Sequence, residues 1–249
     1  MNSLIEKIIK QIAHSFGYQI NREIPTDFSD EDIKIINSVR SYTMTSAERI
    51  SSLNTSVRYV IKNEIPGDIV ECGVWKGGSM MAVAKTLLDL DNQEKELYLF
   101  DTYEGMTEPK KFDVSNGNIN AIKEFDDTKI NADSSTWCRA VIDDVKSNIF
   151  SVGYEKTKIH FIKGKVEDTL PTDKIKNISI LRLDTDWYES TKHELIHLFP
   201  KISKGGVLII DDYGFWEGAR KAVDEYISEN NIQILLNRID NTGRIAIKQ

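Results

Sequence analysis

Leu4, Ile5, Ile8, Ile9, Ile12 and Phe16 recur at three- and four-residue intervals, which predicts an amphipathic helix over residues 2 to 16. Its apolar stripe suits packing on the chain's own core or on a second copy. With Lys7 and Lys10 as its basic residues, it suits a membrane surface poorly. Residues 18 to 29 break the pattern around Pro25. A second helix is expected over 30 to 41. A third runs from Ser46, where Thr45-Ser46-Ala47-Glu48 offers a capping arrangement, to about Asn63. Pro66-Gly67 closes this helical prelude, which is read as an N-terminal extension over residues 1–65.

From Asp68 the pattern changes to short apolar runs alternating with helices. Strands are expected at 68–72, 97–100, 159–162, 178–183, 207–210, 232–237 and 244–247. Helices are expected from Gly78 to about Asp89, and over 137–150, 189–199 and 217–229. Between Thr102 and Thr136 lies a polar stretch without periodicity, of a length that predicts a functional lid or a partly disordered loop. Strand–helix alternation ending in two strands predicts an α/β fold, a doubly wound Rossmann-like sheet of seven strands whose last pair is antiparallel. That sheet forms a second part over residues 66–249.

Composition narrows the partners. The 32 basic against 39 acidic residues give a net charge of −7, which argues against a nucleic-acid backbone as ligand. Cys72 and Cys138 are expected as reduced, unpaired thiols. No apolar run approaches the ~20 residues of a membrane span, and no signal-peptide pattern is evident, so a cytoplasmic protein is expected. The N-terminal helices make a homo-oligomer the expected state.

The chemistry concentrates at strand ends. Asp184 and Asp186 follow the run Ile178 to Leu183, and Asp211 and Asp212 follow Val207 to Ile210. Parallel strands would bring all four carboxylates to the lip of the sheet where open α/β folds bind ligands. Converging carboxylates repel one another unless a positive group sits between them, and hard oxygen donors suit Mg²⁺ first, then Mn²⁺ or Ca²⁺. Glu71-Cys72-Gly73-Val74-Trp75-Lys76-Gly77-Gly78-Ser79 forms the first strand-to-helix turn. Its glycines either admit a ligand to the backbone or merely permit a close crossing. The spacing is not G-x-G-x-x-G, and Glu71 would repel a pyrophosphate. An acid there fits an ammonium group, such as that of S-adenosylmethionine (SAM), and Asp101 after the second strand is placed for ribose hydroxyls.

Other residues take plainer readings. His193 and His197 stand at zinc-like spacing but lack further ligands and read as helix-face residues. Trp75, Trp137, Trp187 and Trp216 either line an acceptor pocket or pack the core. Arg182, inside an apolar strand, is expected to pair with a nearby acid. A metal-dependent hydrolase or phosphotransferase and a non-catalytic scaffold are the rival readings.

Several segments together resemble the macrocin O-methyltransferase (TylF) family. They are Tyr42-Thr43-Met44-Thr45-Ser46, the turn from Glu71 to Ser79, Phe100-Asp101-Thr102-Tyr103-Glu104-Gly105-Met106 and Val166-Glu167-Asp168-Thr169-Leu170-Pro171. The stretch from Leu181 to Thr191, Asp211-Asp212-Tyr213-Gly214 and the stretch from Gly218 to Tyr226 complete the set. The similarity runs from about residue 42 to the C-terminus and is weakest over 107–135. It implies a SAM- and Mg²⁺-dependent enzyme that methylates sugar hydroxyls of glycosides or polysaccharide precursors. Carried across, it makes Asp184, Asp211 and Asp212 the metal ligands and Asp186 the general base. Glu71, Gly73, Ser79, Asp101 and Glu167 become the SAM contacts.

Overall fold

The structure, a computed structural model, describes residues 9, 12–16, 24–117, 119–131 and 133–249. The helix expected over 2–16 falls largely outside the described residues, although Ile12 to Ser15 are helical. Helix α1 (Asp30–Val39) starts at Ser29, whose hydroxyl accepts from Asp32 N, and α2 (Ala47–Lys62) starts at Ser46, which accepts from Arg49 N. A 3₁₀ turn (Arg40–Tyr42) links them.

The remaining strands are β1 (Asp68–Cys72), β2 (Leu97–Asp101), β3 (Lys129–Asn131), β4 (Ser134–Ser135), β5 (Ile159–Lys163), β6 (Ile178–Leu183), β7 (Ile202–Ile210), β8 (Asn237–Arg238) and β9 (Arg244–Ile247). The helices are α3 (Gly78–Asp89), α4 (Ala121–Thr128), α5 (Ile142–Phe150), α6 (Val166–Thr169), α7 (Tyr188–Leu198) and α8 (Glu217–Glu229). Seven strands form one sheet in the order β5-β2-β1-β6-β7-β9-β8. The first five run parallel, and β9 pairs antiparallel with both β7 and β8. This is the expected doubly wound sheet with an antiparallel last pair.

Alternate residues of each strand serve opposite faces. Ile69, Leu97, Leu99, Ile180, Val207 and Ile209 point to one core, which α1, α2 and α3 cover with Val39, Leu53, Val57, Val60 and Leu87. Val70, Phe100, Leu181, Leu183, Leu208 and Ile210 point to the other, against Leu195, Leu198 and Val223 of α7 and α8. Each such side chain taken from water contributes about 1.5–3 kcal/mol, so both faces are sealed. The helices before β1 therefore share the sheet's own core. Among the described residues no helix is long and apolar enough to cross a membrane.

Three expectations change. The described residues of the stretch 102–136 carry regular structure, namely α4 and the β3–β4 pair. The helix expected from Trp137 begins at Ile142, because the Trp137 carbonyl accepts from Met106 N at 2.9 Å and Cys138 takes a left-handed φ of 51°. The strand expected over 232–237 shrinks to Asn237–Arg238, since Ile232, Ile234 and Leu236 pack on the core without pairing.

Candidate active site

The carboxyl ends of β1, β2, β6 and β7 open on a cavity of about 240 Å³. It is lined by Gly73, Ser79, Asp101, Glu167, Asp184, Asp186, Asp211 and Asp212, together with Tyr42 to Thr45, Arg49, Lys165 and Trp187. Eight of the nine sequence-derived site residues thus share one space. Glu71 is the exception, because its side chain lies behind the cavity wall and is 1% exposed.

The turn after β1 is shaped by close backbone approach. At Gly73 (φ 82°) a Cβ would lie 1.9 Å from the Asp184 carbonyl oxygen, so only glycine lets the β1 and β6 ends meet there. Asp101 fixes the same turn, accepting from Val74 N at 2.6 Å and Trp75 N at 3.0 Å, while its other oxygen accepts from Tyr103 N at 2.6 Å. Burial pushes the Asp101 carboxyl up, and those three amide donors oppose it. Gly77 (φ 90°) caps α3, and Ser79 is buried in its first turn.

Arg182 is the positive centre of the site. It is 4% exposed, and its Nη1 donates to Glu71 Oε1 at 2.6 Å and Asp184 Oδ2 at 2.7 Å. Its Nη2 donates to Asp211 Oδ1 at 2.6 Å and Thr45 Oγ1 at 3.2 Å. The ion pair expected from sequence is therefore a three-acid cluster. Asp211 is held on its other oxygen by Arg49 Nη1 and by the Thr45 hydroxyl at 3.0 Å. Arg49 Nε in turn donates to Asp240 at 2.9 Å. Burial raises the Glu71 carboxyl to about 7 against the pull of Arg182, and Glu71 Oε2 is buried without a partner.

Asp184, Asp186 and Asp212 form a second group, half-buried at the cavity surface, with carboxylate oxygens within 4.8 Å of one another. The three that converge thus include Asp186, whereas Asp211 faces the two arginines. Burial and then the Asp211 and Asp212 charges raise Asp184, with Arg182 opposing; burial and the Asp186 and Asp211 charges raise Asp212. Burial pushes Asp186 up to about 7, the Asp184 and Asp211 charges add to this, and Asp212 and Trp216 work against it. Asp212 Oδ2 is buried without a partner. Crowded, underpaired carboxylate oxygens are the donor set that a hard divalent cation satisfies. Asp186 itself sits at φ 69° in a three-residue turn closed by Trp187 N donating to Thr185 O at 2.8 Å.

The tryptophans divide. Trp75 and Trp187 line the cavity, and Trp216 is buried at 3%, its ring 4.9 Å from that of Trp187. Trp137 packs on both, at 5.7 and 6.2 Å. His193 and His197 meet edge to face with ring centres 4.4 Å apart, and no metal-type cluster involves them among the described residues. The roles of Arg49, Thr45 and Asp240 escaped sequence reading, since nothing in residue spacing links the 45–49 segment to acids about 160 to 195 positions further on. Cys138, whose thiol burial raises to about 12, also lines the cavity unannounced.

Comparisons with known proteins bear on the fold and the family. The family model for macrocin-O-methyltransferase (TylF) matches residues 11–247. The demethyldecarbamoylnovobiocin O-methyltransferase of Streptomyces niveus is 32% identical over 204 residues, 82% of this chain and 74% of the relative. The 8-demethyl-8-(2,3-dimethoxy-alpha-L-rhamnosyl)-tetracenomycin-C 4'-O-methyltransferase of Streptomyces olivaceus is 31% identical with the same coverage. The solved structure of the O-methyltransferase NovP matches with a TM-score of 0.74 and 27% identity, covering 99% of this chain and 98% of that one.

Proposed function

The chain belongs to the macrocin O-methyltransferase (TylF) family and is a SAM-dependent O-methyltransferase, and from that premise we propose that its acceptor is a sugar hydroxyl of a glycosylated natural product. Asp186 is the base that takes the hydroxyl proton, and Asp184 and Asp212 hold a divalent cation of the Mg²⁺ type. The observation that carries this reading is the convergence of three carboxylates within 4.8 Å in the cavity that also contains the Gly73–Ser79 turn. The Streptomyces olivaceus relative acts, by its name, on a rhamnosyl-bearing compound, which supports the acceptor class.

SAM supplies an electrophilic methyl group, and the chain's task is to align a hydroxyl with it. Gly73 lets the β1 and β6 ends meet at the turn and Asp101 keeps that turn rigid, while Glu71, behind the cavity wall, acts through Arg182 and makes no contact from the cavity side. Glu167, exposed at the cavity after β5, would be a further cofactor contact. A divalent cation would lower the pKa of vicinal hydroxyls bound to it. Asp211 joins the ligands only by giving up contacts to Arg49 or Arg182, and otherwise orients the arginine that holds Asp184. Asp186 receives the proton. A carboxylate raised to about 7 accepts it more readily than an ordinary aspartate, and a cation nearby would bring that value down.

Transfer of labelled methyl from SAM to a panel of glycosides tests the reading, with p-nitrophenyl α-L-rhamnoside and demethyldecarbamoylnovobiocin included. Label is expected on a sugar oxygen, lost on adding EDTA and regained with Mg²⁺. Transfer only to non-sugar hydroxyls would overturn the acceptor class. Transfer indifferent to EDTA would remove the metal.

A further inference from the structure

The segment from Thr107 to Gly117, part of the stretch expected as a lid or a partly disordered loop, is tied to both acid-bearing loops at once. To the first loop it is joined by Trp187 Nε1, which donates to Thr107 O at 3.1 Å, and by Tyr188 N, which donates to Asp113 Oδ1 at 2.8 Å. To the second loop it is joined by Asn116 N, which donates to Phe215 O at 2.7 Å, and by Glu217 N, which donates to Val114 O at 2.9 Å. Asn116 Nδ2 adds a bond to Gly214 O at 3.1 Å, and Ser115 bridges Trp216.

Asp113 is where these ties meet. It is 3% exposed, deep for an unpaired carboxylate, and its second oxygen accepts from Lys110 N at 2.7 Å, which folds the strap on itself. Its first oxygen caps α7 and lies against α8 as well, for a Cβ on Gly218 would come within 2.2 Å of it. One carboxylate therefore sits between the first turns of the two helices that follow Asp186 and Asp212.

Both loops need such a tie. Beyond Leu183 and Ile210 the β6–β7 ladder ends, so sheet hydrogen bonds no longer fix the distance between Asp184, Asp186 and Asp212. Asp186 also occupies a left-handed turn that a non-glycine residue keeps only where its surroundings over-determine it. The two residues after it are the ones the strap holds. We propose that the Thr107–Gly117 strap sets the geometry of the acidic cluster, with Asp113 as its positioning residue. The proposal rests on the reading of that cluster as a divalent-cation site.

Calorimetric titration of Mn²⁺ alone, and separately of S-adenosylhomocysteine, into the full chain tests it. Asp113→Ala is expected to weaken Mn²⁺ by about 10- to 100-fold, the range for residues that orient metal ligands. S-Adenosylhomocysteine binding should stay within about twofold. Asp113→Asn, which keeps the acceptor for Tyr188 N, is expected to recover most of the Mn²⁺ affinity. Mn²⁺ affinity unchanged in Asp113→Ala, or lost in step with S-adenosylhomocysteine affinity, overturns the proposal. If the alanine variant does not fold, Asn116→Ala, which removes the side-chain tie from the strap to Gly214 O and lies outside the cavity lining, is expected to weaken Mn²⁺ alone as well, and the same refutation applies. An unaltered chain that binds no Mn²⁺ sinks the cation reading itself and this proposal with it. Normal binding in both chains sinks the strap alone.

Discussion

Asp186 combines three properties that seldom coincide in one residue. It has a left-handed backbone, a carboxyl raised to about 7, and two acidic neighbours within 4.8 Å. A left-handed non-glycine residue costs about 1–2 kcal/mol, so the turn stores strain at the point where a proton would be taken. Asp186→Gly should therefore be more stable than Asp186→Ala by about 1 kcal/mol in chemical denaturation, since both lose the carboxylate and only one keeps a Cβ at that φ. Equal stabilities would show that the turn is unstrained. The carboxylate was legible in the sequence, because Leu183-Asp184-Thr185-Asp186 follows an apolar strand. Its conformation was not, because nothing in those residue types demands a positive φ. Gly73 is the converse case. Its need was readable from the turn, but the reason, a carbonyl of Asp184 where a Cβ would sit, is a contact about 110 residues away.

Among the elements, α2, β1, β6, β7 and the β8–β9 turn are joined by one chain of charges. It runs from Glu71 through Arg182 to Asp184 and Asp211, and on through Arg49 to Asp240 and the Ser46 hydroxyl at 2.6 Å. Asp240 sets its outer end. Burial pushes Asp240 up, but the Ser46 hydroxyl, the Gly243 amide and Arg49 outweigh it and leave the carboxyl below its usual value. A carboxyl lowered on folding stabilises the native state above its unfolded pKa of about 3.9, and that contribution fades as pH falls through the folded value. Asp240→Asn should thus lower stability by on the order of 1–3 kcal/mol near neutral pH, and the gap to the parent should narrow below about pH 4. Thermal melts across that range check it, and a gap that widens in acid would contradict the assignment. Strand runs and capping residues made most elements readable. The strap and β8 were not, because their apolar or polar side chains answer to distant partners rather than to a local period.

At the scale of the whole molecule, the order of the sheet is what gathers the site. Adjacent parallel strands β1, β2, β6 and β7 deliver Gly73, Asp101, Asp184, Asp186, Asp211 and Asp212 to one cavity, a convergence legible in the sequence from the rule that open α/β sheets bind ligands at strand carboxyl ends. The rule says nothing about which carboxylate lies beside which neighbour, and there the structure groups the side chains in its own way. Asp211 turns to Arg49 and Arg182, and Asp186 joins Asp184 and Asp212. That division depends on side-chain reach across loops, which residue order does not encode. The central claim is that Asp186 takes the proton from a sugar hydroxyl. It is tested most directly by comparing Asp186→Asn with the parent chain in methyl transfer from labelled SAM to the same glycoside, with S-adenosylhomocysteine affinity measured on both. The expected result is unchanged affinity with transfer reduced by at least about 100-fold, the scale of a lost general base. Transfer at the parental rate would contradict it.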